Sequence, residues 1–186
     1  MNTWIYKVLV VVAVIITTWV LEVNGAYQHL PCPSVCRCLK FQSIQSVYCN
    51  STGIQEVPRG IPPNTELLDL SYIMIQSMPK DAFIGLVNLG ELVLSSNGLK
   101  DNNIADGALD LPKLVTVDLS SNRFTSIPSS LPQNITKLWF MQNSMVTLKS
   151  DCLVKYTALN YLDVSNNQML HIEPMAFNSL INLQTL

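Results

Sequence analysis

From residue 44 onward the apolar positions of this chain recur in one eleven-residue pattern, L-x-x-L-x-L-x-x-N-x-L. It reads LGELVLSSNGL from Leu89, LVTVDLSSNRF from Leu114, ITKLWFMQNSM from Ile135 and LNYLDVSNNQM from Leu159. Two looser copies precede them: IQSVYCNSTGI from Ile44, with Cys49 and Thr52 in place of Leu and Asn, and TELLDLSYIMI from Thr65, with Ile73 in place of Asn. A seventh copy opens at Leu183. Alternation over the first six positions predicts a short strand, and a fixed period of this length predicts a stack of such strands, because a single unit cannot bury its own apolar face. The first, fourth, sixth and eleventh positions are expected to point inward. The ninth-position asparagines, Asn97, Asn122, Asn143 and Asn167, are expected to bond the backbone of the turn.

The predicted architecture is a solenoid with a parallel sheet on its concave face and a convex side of turns and irregular chain. Pro58, Pro79, Pro128 and Pro174 fall after each strand, where no ladder N–H is needed, and little true helix is expected. Segments such as Ala82-Phe83-x-x-Leu86 and Ala176-Phe177-x-x-Leu180 supply the convex apolar residues. Repeat starts at 44, 65, 89, 114, 135, 159 and 183 give a rhythm of one short unit followed by two long ones, twice over.

The N-terminus has a different pattern. One cation, Lys7, precedes an uninterrupted run of 14 apolar or hydroxylic residues from Val8 to Leu21, which fits a signal-peptide core and is too short to span a bilayer. Val23 and Gly25 stand at the spacing of a signal-peptidase site, so residues 1–25 are read as a signal peptide. Residues 26–31 then form a short lead, 32–64 a cysteine-rich cap with the first short repeat, and 65–186 the remaining repeats. The mature chain is expected to be secreted and not membrane-spanning. The strand at Leu183–Leu186 ends without a closing cap, which suggests a longer working protein.

Secretion decides how the cysteines are read. Cys32, Cys36, Cys38 and Cys49, in the pattern C-x3-C-x-C-x10-C, are expected to form two disulfides, for which three pairings are open. Such spacing does not suit zinc, and no metal or other cofactor is expected. Cys152 falls where other long repeats have Ala82 and Ala176 and is expected to be a buried free thiol, with a bridge outside this chain as the alternative. Asn50-Ser51-Thr52 and Asn134-Ile135-Thr136 are N-glycosylation sequons.

Here the chain resembles the small leucine-rich proteoglycan family of extracellular matrix, through its C-x3-C-x-C cap and its alternation of one short and two long leucine-rich repeats. The resemblance covers residues 32–186. It implies a leucine-rich repeat solenoid with a disulfide-tied N-terminal cap and partners among extracellular proteins, collagen included. Two features depart from the family: ten residues separate Cys38 from Cys49, longer than usual, and the chain has no Ser-Gly dipeptide for a glycosaminoglycan. A Toll-like or Slit-like ectodomain is the alternative reading.

Charge and chemistry narrow the function further. With 11 basic against 13 acidic side chains there is no cationic excess for nucleic acid. The sequence has no G-x-S-x-G, no H-E-x-x-H and no phosphate loop, and its two histidines stand far apart, so a binding protein is expected rather than an enzyme. Strand register assigns the third, fifth and seventh positions to the concave surface, which selects Asp69, Glu91, Asp118, Trp139, Met141, Tyr161 and Asp163 as candidate protein-binding residues.

Overall fold

The computed structural model describes residues 32–50 and 53–186, together with the backbone of 27–29. The predicted signal peptide, most of the lead and the sequon residues Ser51 and Thr52 lie outside the described residues. The strands are β1 (Tyr27–His29), β2 (Arg37–Phe41), β3 (Ile44–Tyr48), β4 (Leu67–Asp69), β5 (Glu91–Val93), β6 (Thr116–Asp118), β7 (Lys137–Trp139), β8 (Thr147–Leu148), β9 (Tyr161–Asp163) and β10 (His171–Ile172). A single turn of 3-10 helix, Asp101–Asn103, is the helical element among the described residues.

Eight strands form one sheet in the order β1-β2-β3-β4-β5-β6-β7-β9. The first three pair antiparallel as the cap, and from β3 onward each pairs parallel with the next in chain order. No strand is shifted in the parallel part. Val47, Leu68, Leu92, Val117, Leu138 and Leu162 pair in one continuous row, and all six are fully buried. The first-position row of Leu89, Leu114, Ile135 and Leu159, with Leu70, Leu94, Leu119 and Phe140 at the sixth, completes the core. Burying each such aliphatic side chain contributes ~1.5–3 kcal/mol, which a lone repeat could not obtain. The incipient seventh unit joins through a parallel bridge from Thr185 to Tyr161.

The asparagines hold the turns as expected and also reach the preceding repeat. Asn122 donates from Nδ2 to its own repeat at Leu119 O (3.0 Å) and Ser120 O (3.1 Å) and to the preceding one at Leu94 O (2.9 Å). Its Oδ1 accepts from the N–H groups of Asn97 (3.2 Å) and Leu99 (2.9 Å), also in the preceding repeat. Asn97 does the same for Ile73 and Ile75. The eighth position beside it is left-handed in every full repeat: Tyr72, Ser96, Ser121, Gln142 and Asn166 have φ between 54° and 60°. In the first four of these that conformation aims the N–H at the next repeat, as in Ser121 N–H to Met141 O at 2.9 Å.

On the convex side Phe83, Leu86, Leu153, Tyr156, Ala176 and Leu180 are buried. Tyr156 donates its hydroxyl to Pro128 O at 2.6 Å, and burial pushes its phenol pKa up. β8 and β10 pair parallel as a small second sheet.

The first strand departs from the repeat pattern. That pattern puts Ile44 inward, but Ile44 is 47% exposed and Gln45 is buried in its stead. In the full repeats the chain bends between the first position and the strand. In β3 the antiparallel pairing with β2 begins at Ile44 itself, so strict alternation puts Gln45, Val47 and Cys49 on the inner side.

Candidate protein-binding face

The concave surface is built from the third and fifth positions of each strand. The fifth-position row runs Tyr48, Asp69, Val93, Asp118, Trp139, Asp163, each the register partner of the next. The third-position row runs Ser46, Leu67, Glu91, Thr116, Lys137, Tyr161. Of the candidate residues, Asp69, Glu91, Asp118, Trp139, Met141, Tyr161 and Asp163 are all partly accessible rather than fully exposed, because neighbouring strands about 4.8 Å apart shade one another. The seventh position is less uniform, since Ser71 and Ser120 are buried.

The aspartates have a local role beyond the surface one that strand register suggests. Asp69 Oδ1 accepts the N–H of Ser71 (2.9 Å), Asp118 Oδ1 that of Ser120 (2.8 Å) and Asp163 Oδ1 that of Ser165 (2.9 Å). Each closes the strand end with a side-chain turn, which the recurring Asp-x-Ser in these three repeats signals. One carboxylate oxygen is used in each case. Trp139 takes the same row position between Asp118 and Asp163, and its ring lies 5.0 Å, centroid to centroid, from that of Tyr161, inclined at 42°. The structure therefore brings together Asp118, Trp139, Tyr161 and Asp163, with Met141 beyond them. Asp69 and Glu91 lie toward the cap.

In the cap, Cys36 and Cys49 form a disulfide across 13 positions. Cys49 is fully buried at a leucine position of the repeat, so the bridge fastens the cap to the core itself. Cys32 and Cys38 are thiols in the structure, one of the two expected bridges being formed. They are neighbours: burial, a hydrogen bond to the Cys32 thiol and that group's charge push the Cys38 pKa up to about 12.

Cys152 is a free thiol but only half-buried, which corrects the expectation of a buried one. It donates to Lys149 O at 3.1 Å, and the aligned Ala82 is half-buried as well, while Ala176 is buried. Burial and the Asp151 charge raise its pKa. Asn134 is exposed in the turn before β7, and Asn50 is exposed just beyond β3.

Comparison with known proteins places this geometry. The family model described as Leucine Rich Repeat matches residues 113–135 and 158–180. Biglycan of Sus scrofa is 33% identical over 142 residues, covering 76% of this chain and 51% of that protein. Podocan of Mus musculus is 31% identical over 146 residues, covering 77% of this chain and 24% of the relative. The chain thus spans about half the length of the first and a quarter of the second. Among solved structures, a chain from an octameric complex of latrophilin 3, Unc5D and FLRT2 (LRR) superposes with a TM-score of 0.64 at 27% identity, over 74% of this chain and 43% of that one. The in-register parallel sheet, the asparagine-held turns, the disulfide-tied cap and these relatives together make this chain a leucine-rich repeat protein of the small leucine-rich proteoglycan type.

Proposed function

We propose that the protein is a secreted glycoprotein of the extracellular matrix that holds other extracellular proteins, collagen among them, against its concave face. The observation that carries this reading is the Trp139–Tyr161 pair, two accessible rings 5.0 Å apart with Asp118 and Asp163 in the same rows. Aromatic side chains of this kind anchor protein interfaces, and leaving them accessible costs apolar hydration unless a partner covers them. Secretion is supported by the relatives and by the Cys36–Cys49 bridge, since disulfides persist in oxidising compartments. No helix among the described residues is long and apolar enough to cross a membrane. Asn134 and Asn50, both exposed, are the proposed glycan carriers. The pairing Cys32–Cys38 is the proposed second cap disulfide, because the Cys36–Cys49 bridge leaves these two and the two thiols are already in contact.

The test is a stability and binding comparison. Trp139→Ala combined with Tyr161→Ala is expected to weaken binding to fibrillar collagen by ~2 kcal/mol or more with little change in thermal stability. Leu138→Ala, one residue away and fully buried, is expected to cost ~2–5 kcal/mol of stability through a core cavity. Unchanged collagen binding by the aromatic double variant would sink the concave-face reading.

A further inference from the structure

The fifth-position row holds two aromatic residues, Tyr48 and Trp139, and in both cases the register partner on a neighbouring strand is an aspartate: Asp69 beside Tyr48, and Asp118 and Asp163 on either side of Trp139. At Tyr48 the arrangement is occupied from within. Arg37 of β2 is the antiparallel register partner of Tyr48, and its guanidinium carbon lies 5.7 Å from the centre of the tyrosine ring. The ring face attracts the cation and the planar guanidinium can lie along it. At Trp139 the same combination recurs in a larger form, with the Tyr161 ring added and a carboxylate on each side instead of one. Here no cation lies over either ring among the described residues, although Lys137 is the register partner of Tyr161. Lys137, the one basic side chain on the two concave rows, makes no ring contact and no ion pair among the described residues.

The charge balance points the same way. Asp69, Glu91, Asp118 and Asp163 against Lys137 make these two rows acidic, in a chain whose formal net charge is only -2. Asp118 and Asp163 each spend one oxygen on a serine N–H, at 2.8 and 2.9 Å, which fixes the carboxylate and leaves its second oxygen for a ligand. The two aspartates stand two strand spacings apart, about 9–10 Å, with Trp139 between them. That span admits one side chain inserted over the indole.

We propose that Asp118, Trp139, Tyr161 and Asp163 form a receptor for an arginine side chain presented by the protein partner. The inference rests on the concave-face reading and deepens it by naming the group that the face recognises. The guanidinium stacks on the indole and bonds to the outer carboxylate oxygens, as Arg37 stacks on Tyr48 at the cap.

The test uses the secreted full chain and a neutral glycine–serine peptide carrying a single arginine, with its citrulline counterpart as the uncharged isostere. Trp139 is the only tryptophan after Trp19, so its indole resonance reports occupancy directly. The arginine peptide is expected to shift that resonance saturably, the citrulline peptide to bind at least roughly fivefold more weakly, and a lysine peptide to fall between them. Asp118→Asn and Asp163→Asn keep an amide oxygen for the serine N–H and remove only the charge. Each is expected to weaken arginine binding about threefold, with unchanged melting. Equal binding of the citrulline peptide, unchanged affinity in the double asparagine variant, or no response to the arginine peptide would each overturn the proposal. If collagen binding is lost in the Trp139/Tyr161 double variant but is indifferent to the asparagine variants, the arginine receptor fails while the concave-face reading stands. If the arginine peptide binds and collagen does not, the receptor stands and collagen is removed as its partner.

Discussion

The central repeats, residues 89–145, and the cap-proximal ones, residues 44–75, use different means to keep polar backbone out of trouble. In the centre every turn contains an asparagine with partners in two repeats, such as Asn97, Asn122 and Asn143, and the inward first positions are Leu89, Leu114 and Ile135. Toward the cap the ninth position is Ile73, fully buried, and the inward residues that open the repeats are Gln45 and Thr65. Thr65 satisfies its hydroxyl on Pro62 O at 2.6 Å, whereas neither amide atom of Gln45 has a hydrogen-bond partner among the described residues. A covalent link does there what hydrogen bonds do elsewhere, since Cys36–Cys49 ties the cap to the sixth-position row. Internal turns need a polar ladder because both flanking repeats present backbone to them. The capped end is closed from outside and tolerates apolar or unmatched residues.

Substitutions can break this contrast in order of expected size. Asn122→Ala orphans the buried N–H groups of Asn97 and Leu99 and is expected to cost about 4 kcal/mol of unfolding free energy in denaturant titration, at ~1–3 kcal/mol per unsatisfied group with the lost carbonyl bonds added. A cost below ~1 kcal/mol would mean that the ladder is ornamental. Replacing both Cys36 and Cys49 by serine removes the cap's counterpart and is expected to cost about 3 kcal/mol, the loop-entropy value for a bridge of this separation. Non-reducing peptide mapping should show Cys32 joined to Cys38; a peptide linking either of them to Cys152 would refute the cap geometry.

Gln45→Leu sharpens the comparison from the other side. It gives the first repeat the leucine of the central ones and removes an unpartnered buried amide, so a gain of about 1–2 kcal/mol is expected, read as a melting point higher by roughly 2–8 °C. The smallest effect is at Glu173, a surface carboxylate held by the backbone N–H and hydroxyl of Ser150, both at 2.9 Å. These bonds, with the Lys149 and His171 charges, lower its pKa from the ordinary 4.5. Its contribution is therefore complete above pH 4.5 and is lost as pH falls through the lowered folded-state value. Glu173→Gln should flatten the acid limb of the stability profile slightly, by lowering stability a little at neutral pH and leaving it unchanged at low pH.

Much of this is legible in the sequence because the repeat period ties residue type to direction. The buried row from Leu68 to Leu162 and the asparagine turns follow from the eleven-residue pattern, and the accessible rows follow from alternation. What escapes the pattern depends on pairing or on second partners. Ile44 and Gln45 exchange sides because β2 straightens β3 from its first residue, and nothing within the repeat records an antiparallel neighbour. Asp69, Asp118 and Asp163 look like plain surface charge by register, although Asp-x-Ser at a strand end carries its own hydrogen-bond signature. Cys152 aligns with Ala82 and Ala176, but the depth of that position varies between repeats, half-buried at Ala82 and Cys152 and buried at Ala176, which residue type does not record.

The asparagine stagger gives the stack a polarity. Asn122 serves its own turn only through carbonyls, while the N–H groups at the ninth and eleventh positions of a repeat look to the following unit, as Phe124 N–H does to Asn143 at 3.1 Å. Stripping the unit on the C-terminal side bares donors of buried residues such as Leu94, Asn97 and Leu99, whereas stripping the unit on the N-terminal side bares donors of more accessible ones, such as Val115 and Thr116, whose N–H groups lose Gly90 O. Buried donors cost more to leave bare than accessible ones, so fraying travels more readily toward the N-terminus than away from it.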